Sequence, residues 1–208
     1  MVVLPTPDAR NPKPTASLRA PEAPKGLHAG SLNAPPASAW PRRTRKKEVD
    51  MLIRRATEAD MPGLESLLDQ VLMVHYHGRP DLFIPGTRKY TDDELRGIIA
   101  DDERPIFVAV ADDAAPGEVL GHAFCVHKHY GSNNMHHIHT LYVDDICVDD
   151  HARGMHVGTA LYQHVLAYAR ECGCYNVQLN VWSCNPGAQA FYEAMGMKPY
   201  KVGMETIL

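Results

Sequence analysis

The stretch that decides the fold is Leu141-Tyr-Val-Asp-Asp-Ile-Cys-Val-Asp-Asp-His-Ala-Arg-Gly-Met-His-Val-Gly-Thr159. Its first part predicts a strand, the middle a short turn, and the end the glycine-containing start of a helix. Free backbone N–H groups at a helix start, with the helix dipole behind them, bind phosphate oxygens. Gly154 and Gly158 let the backbone approach an anion closely, and Arg153 can add a charge-assisted contact. The stretch therefore predicts an anion-binding turn.

The segments before this stretch predict one strand, two helices and a hairpin. Met51–Arg55 is the first predicted strand, and a helix begins at Thr57 or Asp60. A capping box, Thr91–Glu94, begins a second helix, and His75–Pro80 between them is predicted to be a loop. The apolar face of the first helix repeats at helical spacing through Leu64, Leu67, Leu68, Val71 and Leu72.

The remaining segments complete a mixed sheet. The hairpin strands Ile106–Ala111 and Val119–Val126 flank a turn that contains Pro116 and Gly117. The later predicted elements are a strand at Thr140–Val148, a helix at Gly154–Cys172, a strand at Val177–Trp182, a helix at Pro186–Met195, and a final strand. The order starts antiparallel and ends with a βαβ unit. It predicts an α/β (α+β) fold with a mixed sheet and helices on both faces.

The chain divides into a basic tail and an acidic domain. The net charge of −4 is the sum of +5 over residues 1–50 and −9 over residues 51–208. Residues 1–48 are rich in proline and alanine and predict a disordered tail, so the folded domain is assigned to 51–208. The basic run at 42–47 is interpreted as a solvated linker, with a nucleic-acid arm or a localisation signal as alternatives. A start of the natural chain at Met51 is a further possibility.

Several broad classes of protein do not fit the sequence. The longest clean apolar run, Ile106–Ala111, is far too short to span a membrane, and prolines interrupt the N-terminal apolar stretch where a signal peptide would be continuous. The five cysteines form no CxxC pair, which fits free thiols and a cytoplasmic location. The acidic domain repels phosphate backbones, which makes nucleic acid an unsuitable partner.

Two motifs together resemble a known family. Arg153-Gly-Met-His-Val-Gly158 matches the R/Q-x-x-G-x-G/A acetyl-CoA loop of the GNAT N-acetyltransferases, and Asn185–Gly196 is similar to their closing helix, N-x-x-A-x-x-F-Y-x-x-x-G. The segment Tyr142–Val148 looks most like the diamine and polyamine acetyltransferase subgroup. The resemblance covers Met51–Leu208. It implies the GNAT fold, whose central sheet is mixed and mostly antiparallel.

The resemblance implies which residues bind acetyl-CoA, the expected co-substrate. The backbone of Ile146, Cys147 and Val148 would pair with the pantetheine arm like an added strand. Asn185 would contact the pantetheine, and His156 departs from the family pattern because it stands at the usual middle glycine. The pyrophosphate would be cradled by Arg153, Gly154, Met155, His156, Val157, Gly158 and Thr159.

The resemblance also implies the catalytic groups. Direct transfer needs a base that removes a proton from the acceptor amine, and Asp144 is predicted as this base with Asp145 as an amine contact. Since side chains alternate along a strand, only one of the two faces the acceptor unless a bulge intervenes. Tyr192 is predicted as the acid for the departing thiolate. His139 and His151 are alternative bases.

The polar segment after the first predicted helix is interpreted as part of the acceptor site. Tyr76 and His75 are predicted to border the acceptor, where the polyamine enzymes carry acidic residues, which favours a smaller amine. The H-x-H pairs at 127/129 and 137/139 could build a metal site. No cysteine or carboxylate has matching spacing nearby, so a solvated or substrate-lining face is favoured and no metal is expected.

The sequence thus predicts an acetyl-CoA-dependent N-acetyltransferase that acts on a primary amine of a small cationic molecule. The negative charge of the domain favours a cationic acceptor. Acetylation of a protein N-terminus or a lysine side chain is an alternative, and a non-catalytic acyl-CoA-binding sensor is one from another class. The family resemblance makes a homodimer possible.

Overall fold

A computed structural model of the chain describes residues 50–112, 114–115 and 117–208. The predicted tail, residues 1–48, lies outside the described residues. The described residues form one five-stranded sheet, in which the strands follow one another in chain order. The strands are β1 (Met51–Arg55), β2 (Ile106–Ala111), β3 (Gly121–Ser132), β4 (Met135–Val148) and β5 (Asn176–Gln178).

All neighbouring strands are antiparallel except β4 and β5, which are parallel. The predicted mixed, mostly antiparallel sheet is therefore confirmed. The four described α-helices are α1 (Met61–Gly78), α2 (Asp92–Ile99), α3 (Val157–Glu171) and α4 (Pro186–Ala194). Short 3-10 turns precede α1 and α3.

The sheet is covered on both faces, as the element order predicts. One cluster of buried side chains contains the leucines of α1 and α2 together with Val108 and Phe124 of the sheet. A second cluster joins α3, through Leu161 and Val165, to Leu141 on the other face. Alternation along each strand produces this division, because successive side chains point to opposite faces.

The capping signals in the sequence are found where they were predicted. The Thr91 hydroxyl accepts a hydrogen bond from the Glu94 N–H at 3.3 Å, and the Glu94 carboxylate accepts one from the Thr91 N–H at 2.8 Å. Asp60 ends the turn before α1 and forms a two-pronged contact with Arg54 at 2.7 and 2.9 Å. The first contact caps α2, and the second ties β1 to the turn before α1.

Two predicted helix boundaries are wrong, for identifiable reasons. His75–Gly78 forms the last turn of α1 and is not a loop, because α1 continues until the backbone bond from Arg79 N–H to the His75 carbonyl closes it. The helix predicted from Gly154 begins at Val157, since the backbone before it takes left-handed conformations at Gly154 and His156.

The sheet edge differs most from the prediction. The hairpin of β3 and β4 is longer on both sides, and it turns at Asn133 and Asn134. The strand predicted at Val177–Trp182 is reduced to the three residues of β5. The described residues after α4 form no strand, and Val202 and Met204 are 74% and 89% exposed. The apolar pattern at the C-terminus therefore buries little surface in this structure.

Within the described part of the chain, no helix combines the length and apolar character that a membrane crossing requires.

Leu161 at the centre of α3 tests how the second core supports the fold. Its side chain is completely buried, so Leu161→Ala is expected to lower the free energy of unfolding by about 2–5 kcal/mol. Leu52→Ala is the control, because Leu52 is 52% exposed and its truncation is expected to change stability by about 0.5 kcal/mol or less. Urea denaturation measures both, and equal losses would contradict the assignment of the core.

Candidate active site

A cleft opens where β4 and β5 separate. Backbone pairing between the two strands covers only Thr140, Leu141 and Tyr142 of β4. From Val143 to Val148, β4 continues without pairing to β5, so one edge of its backbone faces a gap. An extended ligand can pair with such an edge as an added strand does.

The cleft contains a cavity of about 450 Å³ between β4, α1 and α4. This volume is in the range of small-molecule and cofactor sites. Its walls are mostly apolar, and the polar side chains among them are Gln70, Arg153, Asn185 and Tyr192. It is lined by Gln70, Val71, Val74, Ile146, Cys147, Val148, Arg153, Gly158, Asn185, Gly187, Ala188, Phe191 and Tyr192.

The structure brings part of the predicted acetyl-CoA set together in this cavity. Ile146, Cys147, Val148, Arg153, Gly158 and Asn185 line it, as does Tyr192. Gly154, Met155, His156 and Thr159 lie in the adjoining turn and helix start, while the Val157 side chain is buried in the core beneath. Some of the predicted residues therefore form the walls of the cavity, and the others form the turn and helix start next to it.

His156 keeps the backbone conformation that a glycine would take. Its φ and ψ of 64° and 13° are left-handed, and it is the one non-glycine with positive φ among the described residues. Gly154, two residues earlier, has φ of 77°. The turn therefore has the shape that the glycine pattern requires, at a conformational cost of roughly 1–2 kcal/mol for the side chain of His156.

Gln70 is a residue that the sequence did not single out. Its side-chain amide donates to the Asp149 carboxylate at 3.0 Å, and its carbonyl oxygen accepts from the Asp150 N–H at 3.3 Å. Asp149 also caps the turn by accepting from the His151 N–H at 2.8 Å. These bonds fix the turn before α3 to α1, and only the fold could place Gln70 there.

The start of α4 forms the opposite wall. The Asn185 side chain accepts from the Ala188 N–H at 3.1 Å, which caps the helix and orients it over the cavity. Two turns later the Tyr192 ring packs edge-on against Phe191 and Tyr162, with ring centroids 5.1 and 6.0 Å apart. Burial raises the pKa of Tyr192, and the charge of Asp145 adds to this shift, so its hydroxyl keeps its proton at neutral pH.

A β-bulge settles the geometry of the two aspartates. Phe124 pairs with Asp145 and Cys125 pairs with Val143, which leaves Asp144 as the extra residue in β4. Asp145 therefore shares the face of Phe124, toward α1 and α2. Asp144 bulges out, and its side chain is 38% exposed against 8% for Asp145.

Lys89 connects the two carboxylates. Its Nζ lies 2.9 Å from Asp144 Oδ2 and 3.7 Å from Asp145 Oδ2. The neighbouring ring of Tyr90 stacks on Phe124 at 6.0 Å, and this contact brings the segment before α2 over the bulge. Burial raises the pKa of Asp145 to about 6, although the charge of Lys89 opposes the shift.

Two further titratable groups lie on the same face of the sheet. His122 is completely buried, and its two ring nitrogens have no hydrogen-bond partner among the described residues. Burial lowers its pKa to about 3, with a smaller contribution from Lys89, so His122 stays neutral. Burial also raises the pKa of the Cys147 thiol to about 12. Burial on this face of the sheet therefore disfavours the charged forms of both side chains.

The two acceptor-side residues predicted from the sequence lie on different sides of the last turn of α1. His75 packs against Phe83 and Trp182, with ring centroids 5.0 and 6.2 Å away, and burial and the charge of Lys89 lower its pKa. The Tyr76 ring instead contacts His77 at 5.8 Å. His75 is therefore influenced by the charge of Lys89, which pairs with the two aspartates, whereas the Tyr76 ring contacts His77.

The alternative bases lie away from the cavity lining. His151 is exposed in the 3-10 turn before α3, and His139 is packed between other histidines near the far end of β4. Neither residue lines the cavity.

Comparison with known proteins assigns the fold and the family. The Acetyltransferase (GNAT) family model matches residues 72–197, more than half of the chain. This range includes β4, the turn before α3, and α4. A search of curated protein sequences finds no match.

Solved structures with the same fold are distant in sequence. A tetramutant of the BH1408 protein from Bacillus halodurans has a TM-score of 0.71 and 23% identity, over 76% of this chain and 99% of that one. Glucosamine-6-phosphate N-acetyltransferase from Arabidopsis thaliana has a TM-score of 0.56 and 21% identity, over 76% and 97%. An aminoglycoside N-acetyltransferase in complex with CoA has a TM-score of 0.56 and 18% identity, over 78% and 97%.

The two left-handed residues before α3 give a test of the turn. His156→Gly removes a strained side chain and is expected to keep or raise stability, by up to about 1 kcal/mol, and to keep acetyl-CoA affinity. Gly154→Ala introduces strain at φ of 77° and is expected to cost about 1–2 kcal/mol. Thermal unfolding and calorimetric titration with acetyl-CoA measure both variants. A loss of affinity in His156→Gly would show that the imidazole itself binds the ligand.

Proposed function

The chain belongs to the acetyltransferase (GNAT) family, and on that premise we propose that it transfers the acetyl group of acetyl-CoA directly to a primary amine of a small cationic molecule. The family makes the protein an acyltransferase that uses an acyl-CoA. The acceptor, the residue roles and the direct route are our proposals. The observation that carries them is a buried carboxylate and a buried tyrosine beside one cavity on the open edge of β4.

The cavity walls suit acetyl-CoA. We assign the pantetheine arm to the unpaired edge of Ile146, Cys147 and Val148, where it can form strand-like hydrogen bonds. The N–H groups at the start of α3 face the pyrophosphate, with the helix dipole and Arg153 as positive groups. Asn185, at the cap of α4, contacts the pantetheine. The residues present fit this ligand.

Acetyl transfer to an amine is limited first by protonation. An alkyl amine with a pKa of about 10.4 is neutral in roughly one molecule in 2,500 at pH 7, a deficit of about 4.6 kcal/mol. An ammonium has no lone pair, so it must lose one proton before it can attack. A general base that accepts the next proton as the C–N bond forms contributes roughly 100- to 10,000-fold.

We assign Asp145 as the base and Asp144 as a contact for the amine, which reverses the roles expected from the sequence. The bulge turns Asp145 inward, where burial raises its pKa to about 6 and places it near the operating range of a general base. Asp144 is exposed and already holds the Lys89 ammonium at 2.9 Å, so it suits charge attraction rather than proton transfer.

Tyr192 is assigned as the proton donor to the departing sulfur. Burial raises the pKa of Tyr192 well above that of a thiol in water, which by itself would disfavour the transfer. The same surroundings raise the pKa of the Cys147 thiol to about 12, so a CoA thiolate in this cavity is also a stronger base than in water. The Tyr192 hydroxyl and the thiolate therefore stay matched as donor and acceptor.

The proposed reaction balances without any other reactant. The bound ammonium first releases one proton to solvent, and the neutral nitrogen then attacks the thioester carbon. The C–S bond breaks and CoA leaves as the thiolate. Asp145 takes a second proton from the nitrogen, directly or through water, and Tyr192 gives one to the sulfur. The two residues return to their starting states through solvent once the products leave.

The acceptor is proposed from charge. Asp144, Asp145 and Lys89 together carry one net negative charge when both acids are ionised, so these three groups can compensate one ammonium and offer no further local charge to a long polycation. His75, Phe83 and Trp182 provide an aromatic surface beside Lys89 on which an alkyl or ring group can pack. A small amine with one or two charges fits better than a long polyamine.

A thiol-release screen with acetyl-CoA identifies the acceptor. The panel contains diamines, polyamines, amino acids, aminoglycosides, aminosugars and short peptides with a free N-terminus or a lysine. We expect the highest kcat/KM for a small cationic amine, with the N-acetyl product confirmed by mass spectrometry. Transfer to peptides alone would contradict the acceptor class, and acetyl-CoA binding without any transfer would favour the sensor.

Two variants test the catalytic assignment. Tyr192→Phe and Asp145→Asn are each expected to lower kcat roughly 100- to 10,000-fold, the scale of general acid–base catalysis. Tyr175→Phe and Asp102→Asn are the matched controls, since both residues are exposed, and should retain wild-type turnover. An unchanged rate in Tyr192→Phe would remove its acid role, and a larger loss in Asp144→Asn than in Asp145→Asn would restore the order expected from the sequence.

The buried carboxylate also predicts a pH dependence of stability. Because the folded pKa of Asp145, about 6, lies above the unfolded value of 3.8, the folded state loses stability as the pH rises from 4 to 6. The loss reaches roughly 3 kcal/mol above pH 7. Asp145→Asn is therefore expected to be more stable than wild type at pH 8, with the difference roughly halved at pH 5. Denaturation at both pH values, with Asp102→Asn as control, measures this, and an equal gain at both would contradict it.

A further inference from the structure

A second cluster of reactive side chains lies outside the cleft. His127 on β3, His139 on β4 and Cys174 after α3 place one ligand atom each within 4.8 Å of one another. His127 Nδ1 lies 2.7 Å from His139 Nε2, and Cys174 Sγ lies 3.6 Å from the same Nε2. None of the three lines the cavity of the proposed active site.

The backbone places the three side chains firmly. His139 pairs directly with His129, so His127 and His139 are diagonal neighbours on one face of the hairpin. The Cys174 N–H donates to the Ala169 carbonyl at 2.9 Å, which ties the cysteine to the end of α3. Next to it, the Tyr175 N–H donates to the carbonyl of His139 at 2.7 Å. The cysteine is thus anchored to both the helix and the strand that carries its partner.

We propose that His127, His139 and Cys174 form a binding site for one Zn²⁺ ion. Two imidazoles and one thiolate are a ligand set that zinc prefers, and three protein ligands leave a fourth tetrahedral position for solvent. The cysteine of this cluster is distant in the sequence, because 35 residues separate Cys174 from His139. The fold alone brings sulfur to them.

The separations are close to those of a tetrahedral zinc site. Zn–N and Zn–S bonds of about 2.0–2.1 and 2.3 Å put nitrogen and sulfur about 3.6 Å apart, and two nitrogens about 3.4 Å apart. The sulfur lies 3.6 Å from His139 Nε2 and 3.7 Å from its Nδ1, so the distance to Nε2 fits but the ring must rotate to direct this nitrogen at the metal. The two imidazole nitrogens must also move apart by about 0.7 Å from 2.7 Å. Both imidazoles are half-buried, so a small rotation about the side-chain bonds provides this movement.

The outer contacts orient the ligands. The Tyr168 hydroxyl lies 3.1 Å from His127 Nε2, so the proton on this nitrogen can be donated to Tyr168 while Nδ1 keeps its lone pair for the metal. Metal-binding histidines are usually held in this way by a partner on the other ring nitrogen. His129 stacks on the His139 ring at 4.4 Å with the planes nearly parallel. His129 is not one of the three side chains whose ligand atoms converge, so it is not assigned as a ligand.

Cobalt substitution tests the site without relying on acetyl transfer. The full chain is stripped with a chelator, reduced and titrated with Co²⁺ and then with Zn²⁺. We expect one equivalent of cobalt to produce a thiolate-to-metal charge-transfer band in the near ultraviolet and tetrahedral bands in the visible, and zinc to displace it. Zinc is also expected to raise the melting temperature, because it binds the folded state and not the unfolded one.

Matched variants identify the ligands. Cys174→Ser and His139→Asn are expected to remove the charge-transfer band or weaken zinc binding at least about 100-fold, since loss of even outer contacts costs 10- to 100-fold. Cys184→Ser and His136→Asn, which change exposed residues outside the cluster, should bind like the wild type. Circular dichroism confirms that each variant is folded.

The outcomes separate this proposal from the catalytic one. Binding well below one equivalent, or an identical cobalt spectrum in Cys174→Ser, would show that the three side chains are only a hydrogen-bonded cluster. Acetyl transfer measured with and without zinc is independent of that result. An inactive protein that still gives the cobalt spectrum would overturn the proposed function and leave the zinc site standing.

Discussion

The candidate site depends on the unequal backbone pairing of the two edges of β4. On one side it pairs with β3 along almost its whole length, and on the other it meets β5 for only three residues. Beyond Tyr142 the backbone edge of β4 has no strand partner in the described part of the chain and faces the cavity between α1 and α4. An unpaired edge of this kind can take up an added strand. A ligand with amide groups, such as the pantetheine arm, can supply the missing pairs.

The bulge at Asp144 adds a cost at the same place. It turns the Asp145 side chain inward, where burial disfavours its ionised form. Lys89 lies close enough to act as its counter-charge. His122, on the same face, is buried without a hydrogen-bond partner among the described residues. Burial of this kind does not stabilise the fold, since hydrophobic replacements would pack at lower cost. The concentration of such groups beside one cavity is what a site tuned for proton transfer requires.

Local signals in the sequence were sufficient for most of the fold and part of the site. The capping box at Thr91 and the glycine pattern after Arg153 depend on neighbours a few residues away, and the structure has both. Lys89 could not be found in this way, because its position depends on Tyr90 packing against a strand that comes much later in the chain. Cys174 was missed for the same reason. The sequence predicted Asp144 and not Asp145 as the base, since strand alternation alone cannot locate the bulge that turns Asp145 inward.

The zinc site and the cleft are connected through the start of β5. Cys174 comes two residues before Asn176, which pairs with Thr140 and whose side chain accepts from the Thr140 hydroxyl at 2.7 Å. A metal held between Cys174 and His139 would fix this first pair, and with it the point from which β4 and β5 separate. Asp145 lies six residues along β4 from His139, about 20 Å at the usual rise of a strand. The metal is therefore too distant to take part in acetyl transfer, and its effect on the cleft would come through the position of β5.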